Sequence, residues 1–172
     1  MAPPFPTQTH YIDGRPHHSS SETFTTYNPA TATPLAEVYA ATEDDVGLAI
    51  ESSLRAFKTW SKTPPAARSQ ILLRAVAILR KRNDEIAKIE TLDTGKAFCE
   101  TSTCDVPTGA DALEYFAGVG MSMGEGKTVQ LRETAWVYTR KEPLGVCVGI
   151  GAWNYPIQMF GLPHPPPLAN GD

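Results

Sequence analysis

Apolar residues recur along this chain first in short alternating runs and then at helical spacing, and the change of period predicts where strands give way to helices. Tyr11-Ile12-Asp13-Gly14-Arg15-Pro16 sets a turn-forming Asp-Gly between two short extended pieces, which predicts a hairpin. Thr23 to Tyr27 is rich in β-branched and aromatic residues and stops at Asn28-Pro29, the mark of a strand that ends there. Thr42 followed by Glu43, Asp44 and Asp45 can cap free amides and place acids at the positive end of a helix dipole. Val46, Ile50, Leu54 and Phe57 then share one face, so a helix is expected from about 43 to 59. A second helix opens at Pro64-Pro65, runs through Ile71, Leu72, Ala75, Val76, Leu79, Ile86 and Ile89, and stops near Gly95. A third, at roughly 107 to 119, carries Ala110, Leu113, Phe116 and Ala117, and Pro107 fits only in its first turn.

The pattern changes again after a glycine- and methionine-containing loop at Gly118 to Gly126. Val129-Gln130-Leu131 and Ala135 to Arg140 predict a second hairpin turning around Arg132-Glu133-Thr134. Gly145-Val146-Cys147-Val148-Gly149-Ile150 is a short apolar run bounded by glycines, which suits a buried strand of a parallel sheet. Residues 1–9 are expected to be a disordered tail, because Pro3, Pro4 and Pro6 offer no amide donors. The order of hairpin, helices, hairpin and buried strand predicts an α/β protein that enters a nucleotide-binding sheet as the chain stops.

Composition narrows the partners. With 15 Lys+Arg against 19 Asp+Glu the formal charge is -4, and neither sign forms a block, which disfavours nucleic acid and membrane surfaces. Cys99, Cys104 and Cys147 are an odd set without metal-type spacing, so the expectation is a reducing, cytoplasmic setting and cysteines serving as small buried residues. His17-His18 is expected to be solvated among serines, and Lys81-Arg82 to be the wet face of a helix.

The candidate chemistry lies in Glu142-Pro143-Leu144-Gly145-Val146-Cys147-Val148-Gly149-Ile150-Gly151-Ala152-Trp153-Asn154-Tyr155-Pro156. Gly151 and Ala152 would let a ligand approach the backbone at the carboxyl end of a strand, where open α/β sheets bind their ligands. Trp153 can form an apolar wall. Asn154 carries an amide donor that could either steady a developing oxyanion or cap a helix starting at Tyr155-Pro156.

This string resembles the strand and loop ending in Trp-Asn of the aldehyde dehydrogenases. The resemblance implies that Ile150, Gly151, Ala152 and Trp153 contact NAD or NADP, and that the Asn154 amide holds the oxyanion formed when a cysteine attacks the aldehyde. Glu90-Thr91-Leu92-Asp93-Thr94-Gly95-Lys96, Gly109-Ala110-Asp111 with Leu113 to Gly118, and Leu131 to Thr134 with Tyr138 to Gly145 are similar to the betaine aldehyde dehydrogenase branch. Together these strings cover roughly Tyr11 to Gln158. By resemblance, Thr26, Tyr27 and Asp93 would give oxygen ligands to a structural potassium ion, a hard cation suited to such donors. Read from its own surroundings, Asp93 could instead cap the turn before Gly95. The resemblance also makes the hairpin at about 128–142 an oligomerisation element of a homo-oligomer, dimer or tetramer, a part whose exposed edges need a partner. It implies a substrate that is betaine aldehyde or a related aminoaldehyde, oxidised to its acid. The fold class implied is the N-terminal part of the aldehyde dehydrogenase fold, with residues 10–158 a partial Rossmann-like NAD-binding domain.

Past Gln158 the likeness is expected to fade into a divergent proline-rich tail, 159–172, where Pro163 and Pro165 to Pro167 oppose a helix and a Trp-Lys pair of the family is not recognisable. The family's nucleophilic cysteine and glutamate base are not recognisable either, so the chain alone is expected to lack turnover, to be marginally stable and to aggregate. A non-catalytic module that pairs with full-length subunits is the alternative. NAD against NADP and the choice of aldehyde stay open at the sequence level.

Overall fold

The computed structural model of the chain describes residues 3–20, 22–122 and 125–161. The proline stretch 163–167 lies outside them.

The first hairpin forms as the Asp-Gly signal requires. Strands β1 (His10–Ile12) and β2 (Arg15–His17) pair antiparallel across Asp13 and Gly14, with φ of 56° and 74°. Both turn residues are left-handed, the two-residue geometry that matches strand twist. Strand β3 (Thr23–Tyr27) ends at the Asn-Pro boundary and pairs with β4 (Pro34–Tyr39), a strand the residue pattern did not flag. The ladder runs from Thr23↔Tyr39 to Thr26↔Ala36, and its register then shifts before Tyr27↔Pro34.

The segment expected to be a disordered tail is bonded along β4 instead. Phe5 N–H donates to Leu35 O (3.1 Å), Gln8 N–H donates to Glu37 O (2.7 Å), and Tyr39 N–H donates to Gln8 O (3.2 Å). The prolines lack amides, but the residues between them supply enough donors to cover the free edge of β4.

Helix α1 (Glu43–Trp60) starts at the expected cap, with Thr42 and Asp45 forming a reciprocal capping box. Asp45 carries more than the cap. Its carboxylate accepts from Ser19 Oγ (2.6 Å), Thr42 N–H (2.8 Å) and Thr42 Oγ1 (2.7 Å), and pairs with His17 Nε2 at 2.7 Å. The Ser19 hydroxyl, the Thr42 amide and hydroxyl and His17 hold the Asp45 carboxyl well below its ordinary range. His17 is therefore not the solvated residue expected from its serine-rich surroundings, because folding brings it to a carboxylate 28 positions away. His18 is exposed and meets Tyr39 edge-on.

The single long helix expected from 64 to 95 is two. Helix α2 (Pro65–Lys81) and helix α3 (Asn83–Thr94) break at Arg82, whose backbone stands at φ −99°, ψ 17°. Beyond the break the Asn83 side-chain amide donates to Ser102 O (3.0 Å), a tertiary bond that helix propensity does not register. Gly95 closes α3 as expected, in the left-handed region at φ 78°.

A short helix α4 (Phe98–Glu100), a π-helical turn (Thr101–Asp105) and helix α5 (Val106–Val119) then run end to end. The wide turn makes room for the ring of Pro107, which would otherwise crowd the preceding turn. The core lies between α2 and α5, where Leu72, Val76, Ala110, Leu113 and Ala117 are buried together. Strands β5 (Thr128–Arg132) and β6 (Ala135–Tyr138) form the second hairpin, and helix α6 (Pro156–Gly161) lies against α5. The described residues thus form three separate two-stranded sheets beside a helical layer.

The stretch 145–150 departs from expectation. No ladder forms there among the described residues, and Val148 and Ile150 are 81 % and 91 % exposed. A parallel strand needs neighbours at its edges, and the described residues offer it none. Cys147, expected to be buried in that strand, is exposed, as are Cys99 and Cys104. These two fall on the outer side of a helical turn whose inward positions, Thr101 and Asp105, are fully buried.

Candidate functional site

The Gly151–Asn154 loop is held from one side. Upstream it follows the unpaired stretch 145–150, and downstream it enters α6, where Tyr155 O accepts the Met159 N–H at 2.9 Å. Helix α6 starts after Tyr155, and no hydrogen bond joins the Asn154 side chain to its amides among the described residues. The helix-cap alternative for Asn154 is therefore not realised. Its side chain is exposed, beside a Trp153 that is 88 % exposed. A Cβ built on Gly151 would stand 3.6 Å from Met159 Cβ, an ordinary contact distance, so the loop folds back beside its own helix.

Glycine and a carboxylate seat α6. A Cβ on Gly109 of α5 would come within 3.1 Å of Ile157 O, so only glycine permits this approach without a shift. Ile157 N–H donates to Glu90 Oε2 (3.3 Å), and the Gln158 amide donates to Thr108 Oγ1 (3.5 Å). Glu90 is 6 % exposed, and its second oxygen is buried without a hydrogen-bond partner among the described residues. Burial raises its pKa, with the charges of Asp105 and Asp93 adding to the effect, against the opposing Ile157 amide and Lys96.

A raised carboxyl pKa means that ionising Glu90 costs more in the fold than in the open chain. Its contribution to stability is full below the ordinary value of 4.5 and is lost as pH climbs through the raised one. Glu90→Gln is accordingly expected to gain stability relative to the unmodified chain as pH rises from 4.5 toward 7. Urea midpoints of both proteins across that interval measure it, and a pH-independent difference would refute the assignment.

Beside Glu90, Lys96 Nζ pairs with Asp105 Oδ2 at 2.7 Å and sits 3.1 Å from the centroid of the Tyr155 ring. Burial works against the ammonium, but the Asp105 hydrogen bond and charge, with Tyr155 and Glu100, outweigh it and raise the Lys96 pKa. Lys96 and Glu90 stand inside a family-like string and Asp105 outside it, yet none was singled out from the sequence. The available signal was an acid, Glu90, set beside Ile86 and Ile89 in a helix.

The other candidate residues lie on other elements, Thr26 and Tyr27 at the end of β3 and Asp93 near the end of α3. A Cβ on Gly95 would be 2.8 Å from Pro29 Cγ, so the end of α3 is pressed against the segment that leaves β3. Asp93 stands two residues before Gly95 in α3, and Thr26 and Tyr27 stand three and two residues before Pro29. Thr26 Oγ1 donates to Ala36 O (3.3 Å), which uses its hydrogen and leaves its oxygen lone pairs able to accept. Asp93 does not cap the turn: Thr91 O takes the Gly95 N–H (3.0 Å) and Thr94 Oγ1 takes the Lys96 N–H (3.3 Å). Its exposed carboxylate has the chemistry of a hard-cation ligand. No group of three or more His, Cys, Asp or Glu residues that could hold a metal is present among the described residues.

Hairpin β5–β6 projects with Val129, Leu131, Trp136, Val137 and Tyr138 all exposed. Its base is closed by Thr139 N–H donating to Lys127 O (2.8 Å) and Lys127 N–H donating to Thr139 Oγ1 (2.9 Å). No helix of the described residues is long and apolar enough to cross a membrane.

Residues 17–172 match the sequence profile of the Aldehyde dehydrogenase family. Among solved structures, the chain superposes on a betaine aldehyde dehydrogenase double mutant from Staphylococcus aureus in complex with NAD+, with a TM-score of 0.89 and 30 % identity over 95 % of this chain and 33 % of that one. A Bacillus cereus aldehyde dehydrogenase mutant gives a TM-score of 0.90 and 30 % identity over 96 % and 34 %. PnpE in complex with nicotinamide adenine dinucleotide gives 0.91 and 30 % over 95 % and 34 %. The chain spans about a third of the length of these proteins.

Proposed function

The chain belongs to the aldehyde dehydrogenase family, an oxidoreductase family, and from that membership we propose that it supplies the N-terminal part of an NAD(P)-dependent oxidation of betaine aldehyde or a related aminoaldehyde to its acid. The observation that carries this is the loop itself. Ile150, Gly151, Ala152 and Trp153 form an exposed, largely apolar stretch at the mouth of α6, and Asn154 stands at its tip with a free amide. An apolar stretch of this kind fits the face of a nicotinamide cofactor, and the small residues allow close approach of its backbone.

NAD, when bound, accepts the hydride from the aldehyde carbon. The role of this chain is to border the ring with Ile150 to Trp153 and to donate the Asn154 side-chain N–H to the negative oxygen that develops on that carbon. The three cysteines of the chain are exposed on helical or unpaired segments, and the described residues place no histidine or other base in hydrogen-bond contact with a cysteine sulfur. Covalent catalysis needs an activated nucleophile, so the chain alone is expected to show no turnover. Thr26, Tyr27 and Asp93 form the proposed potassium site, supported by the packing of Gly95 on Pro29.

The test is a titration of NAD into the chain with Trp60 and Trp136 replaced by phenylalanine, so that emission reports on Trp153. Saturable quenching is expected, and Asn154→Ala is expected to leave it unchanged because that amide faces the aldehyde oxygen. NAD at millimolar concentration with no effect on Trp153 would overturn the cofactor assignment. Betaine aldehyde added with NAD should yield no reduced cofactor above background.

A second function is favoured by a separate observation. Hairpin β5–β6 exposes apolar side chains and both strand edges, which suits pairing with another subunit of the family. In that role the chain is a non-catalytic module that pairs with full-length subunits.

A further inference from the structure

Three fasteners meet at the downstream base of the Asn154 loop. Lys96 Nζ lies 3.1 Å from the centre of the Tyr155 ring, and Tyr155 is the residue next to Asn154. The ammonium is itself fixed by Asp105, 2.7 Å away, with side chains only 16 % and 0 % exposed. Glu90 takes the Ile157 N–H at the start of α6, and Ile157 O rests where a Cβ on Gly109 would come within 3.1 Å of it. On the other side of the loop Leu144, Val148 and Ile150 are exposed and no ladder forms among the described residues. Position is imposed on the loop from α3, the π-helical turn and α5.

We propose that Lys96, Asp105 and Glu90 are positioning residues that clamp Tyr155 and the first turn of α6, and through them aim the Asn154 amide. The proposal rests on Asn154 as the oxyanion donor. An oxyanion donor works only within hydrogen-bond reach of the atom that becomes charged, and a displacement near 1 Å can cost about 10²-fold in rate. A cation held over an aromatic ring in a half-buried site is a stiff attachment, because the ion pair fixes the cation and the cation fixes the plane of the ring. A buried ion pair is weak evidence for stability, because taking its charges out of water offsets much of their attraction.

Amide hydrogen exchange on the 172-residue chain tests the clamp without any activity. Lys96→Met combined with Asp105→Leu removes the cation without stranding a buried carboxylate, and Tyr155→Leu removes the ring. Each is expected to speed exchange at residues 152–159 by about tenfold while leaving the α2–α5 core at its original rate. Lys96→Arg and Tyr155→Phe keep a cation over a ring and are expected to restore the original protection. Unchanged exchange at 152–159 in both disruptive variants overturns the clamp, as does an equal rise across the α2–α5 core or failure of the two conservative variants to rescue. If exchange follows expectation while NAD leaves Trp153 emission untouched, the clamp stands and the cofactor assignment falls, so the two can fail separately.

Discussion

Asp105→Ala is expected to destabilise the chain by about 3 kcal/mol, the lower end of the range for breaking a buried ion pair from one side. The side chain of Asp105 is wholly buried, and its removal leaves the Lys96 ammonium facing Tyr155 without its carboxylate. The lower end applies because Lys96 keeps 16 % of its side chain in reach of water, which can partly solvate the stranded charge. The double replacement Lys96→Met with Asp105→Leu should cost less than Asp105→Ala alone, since it removes the unpaired charge as well as the pair. Urea unfolding followed by circular dichroism measures all three proteins. A loss under ~1 kcal/mol for Asp105→Ala would show that the pair is not desolvated as the structure has it.

Leu113→Ala should cost a similar amount, about 3 kcal/mol within the usual span for emptying a core leucine site. Leu113 is 4 % exposed and is packed with Leu72, Val76, Ala110 and Ala117 where α2 crosses α5. Two of those neighbours are alanines on its own helix, which cannot swing in to fill the space. Leu54→Ala on α1 is the informative contrast. Leu54 is 50 % exposed, and its loss should stay within about 0.5 kcal/mol. Equal costs at the two positions would mean that the packing of α1 differs from that described.

That contrast also marks how far the residue pattern reaches. Val46, Ile50 and Leu54 follow each other at helical spacing as cleanly as Leu72 and Val76 do, and both sets form helices. Yet Val46, Ile50 and Leu54 are 42–50 % exposed while Leu72 and Val76 are buried. Periodicity states which face of a helix is apolar, and only a neighbouring element decides whether that face is covered. The same limit explains the stretch 145–150, whose composition suits a buried strand but whose partners are not among the described residues. It explains Cys147 too, whose burial was inferred from that strand.

Signals confined to a few adjacent residues were legible. The Asp13-Gly14 turn, the Thr42 and Asp45 cap, the end of β3 before Pro29 and the stop at Gly95 each depend on one residue's own backbone preferences or on a side chain reaching its own helix end. The loop carrying Asn154 was legible because its motif is a continuous string. What escaped was the break at Arg82, where Asn83 reaches Ser102, and the bonding of Phe5 and Gln8 along β4. His17 on Asp45 and Lys96 between Asp105 and Tyr155 escaped for the same reason.

The sequence by itself therefore determined the family, the helices and hairpins as types of element, and the identity of the residues at the loop tip. Tertiary structure alone decided where that tip is held, since the contacts at its base join residues 90, 96, 105, 109, 155 and 157 from separate helices. The physical reason is range. Turns and caps are settled by forces between neighbours along the chain, whereas a buried charge acquires its partner only when distant segments exclude water together.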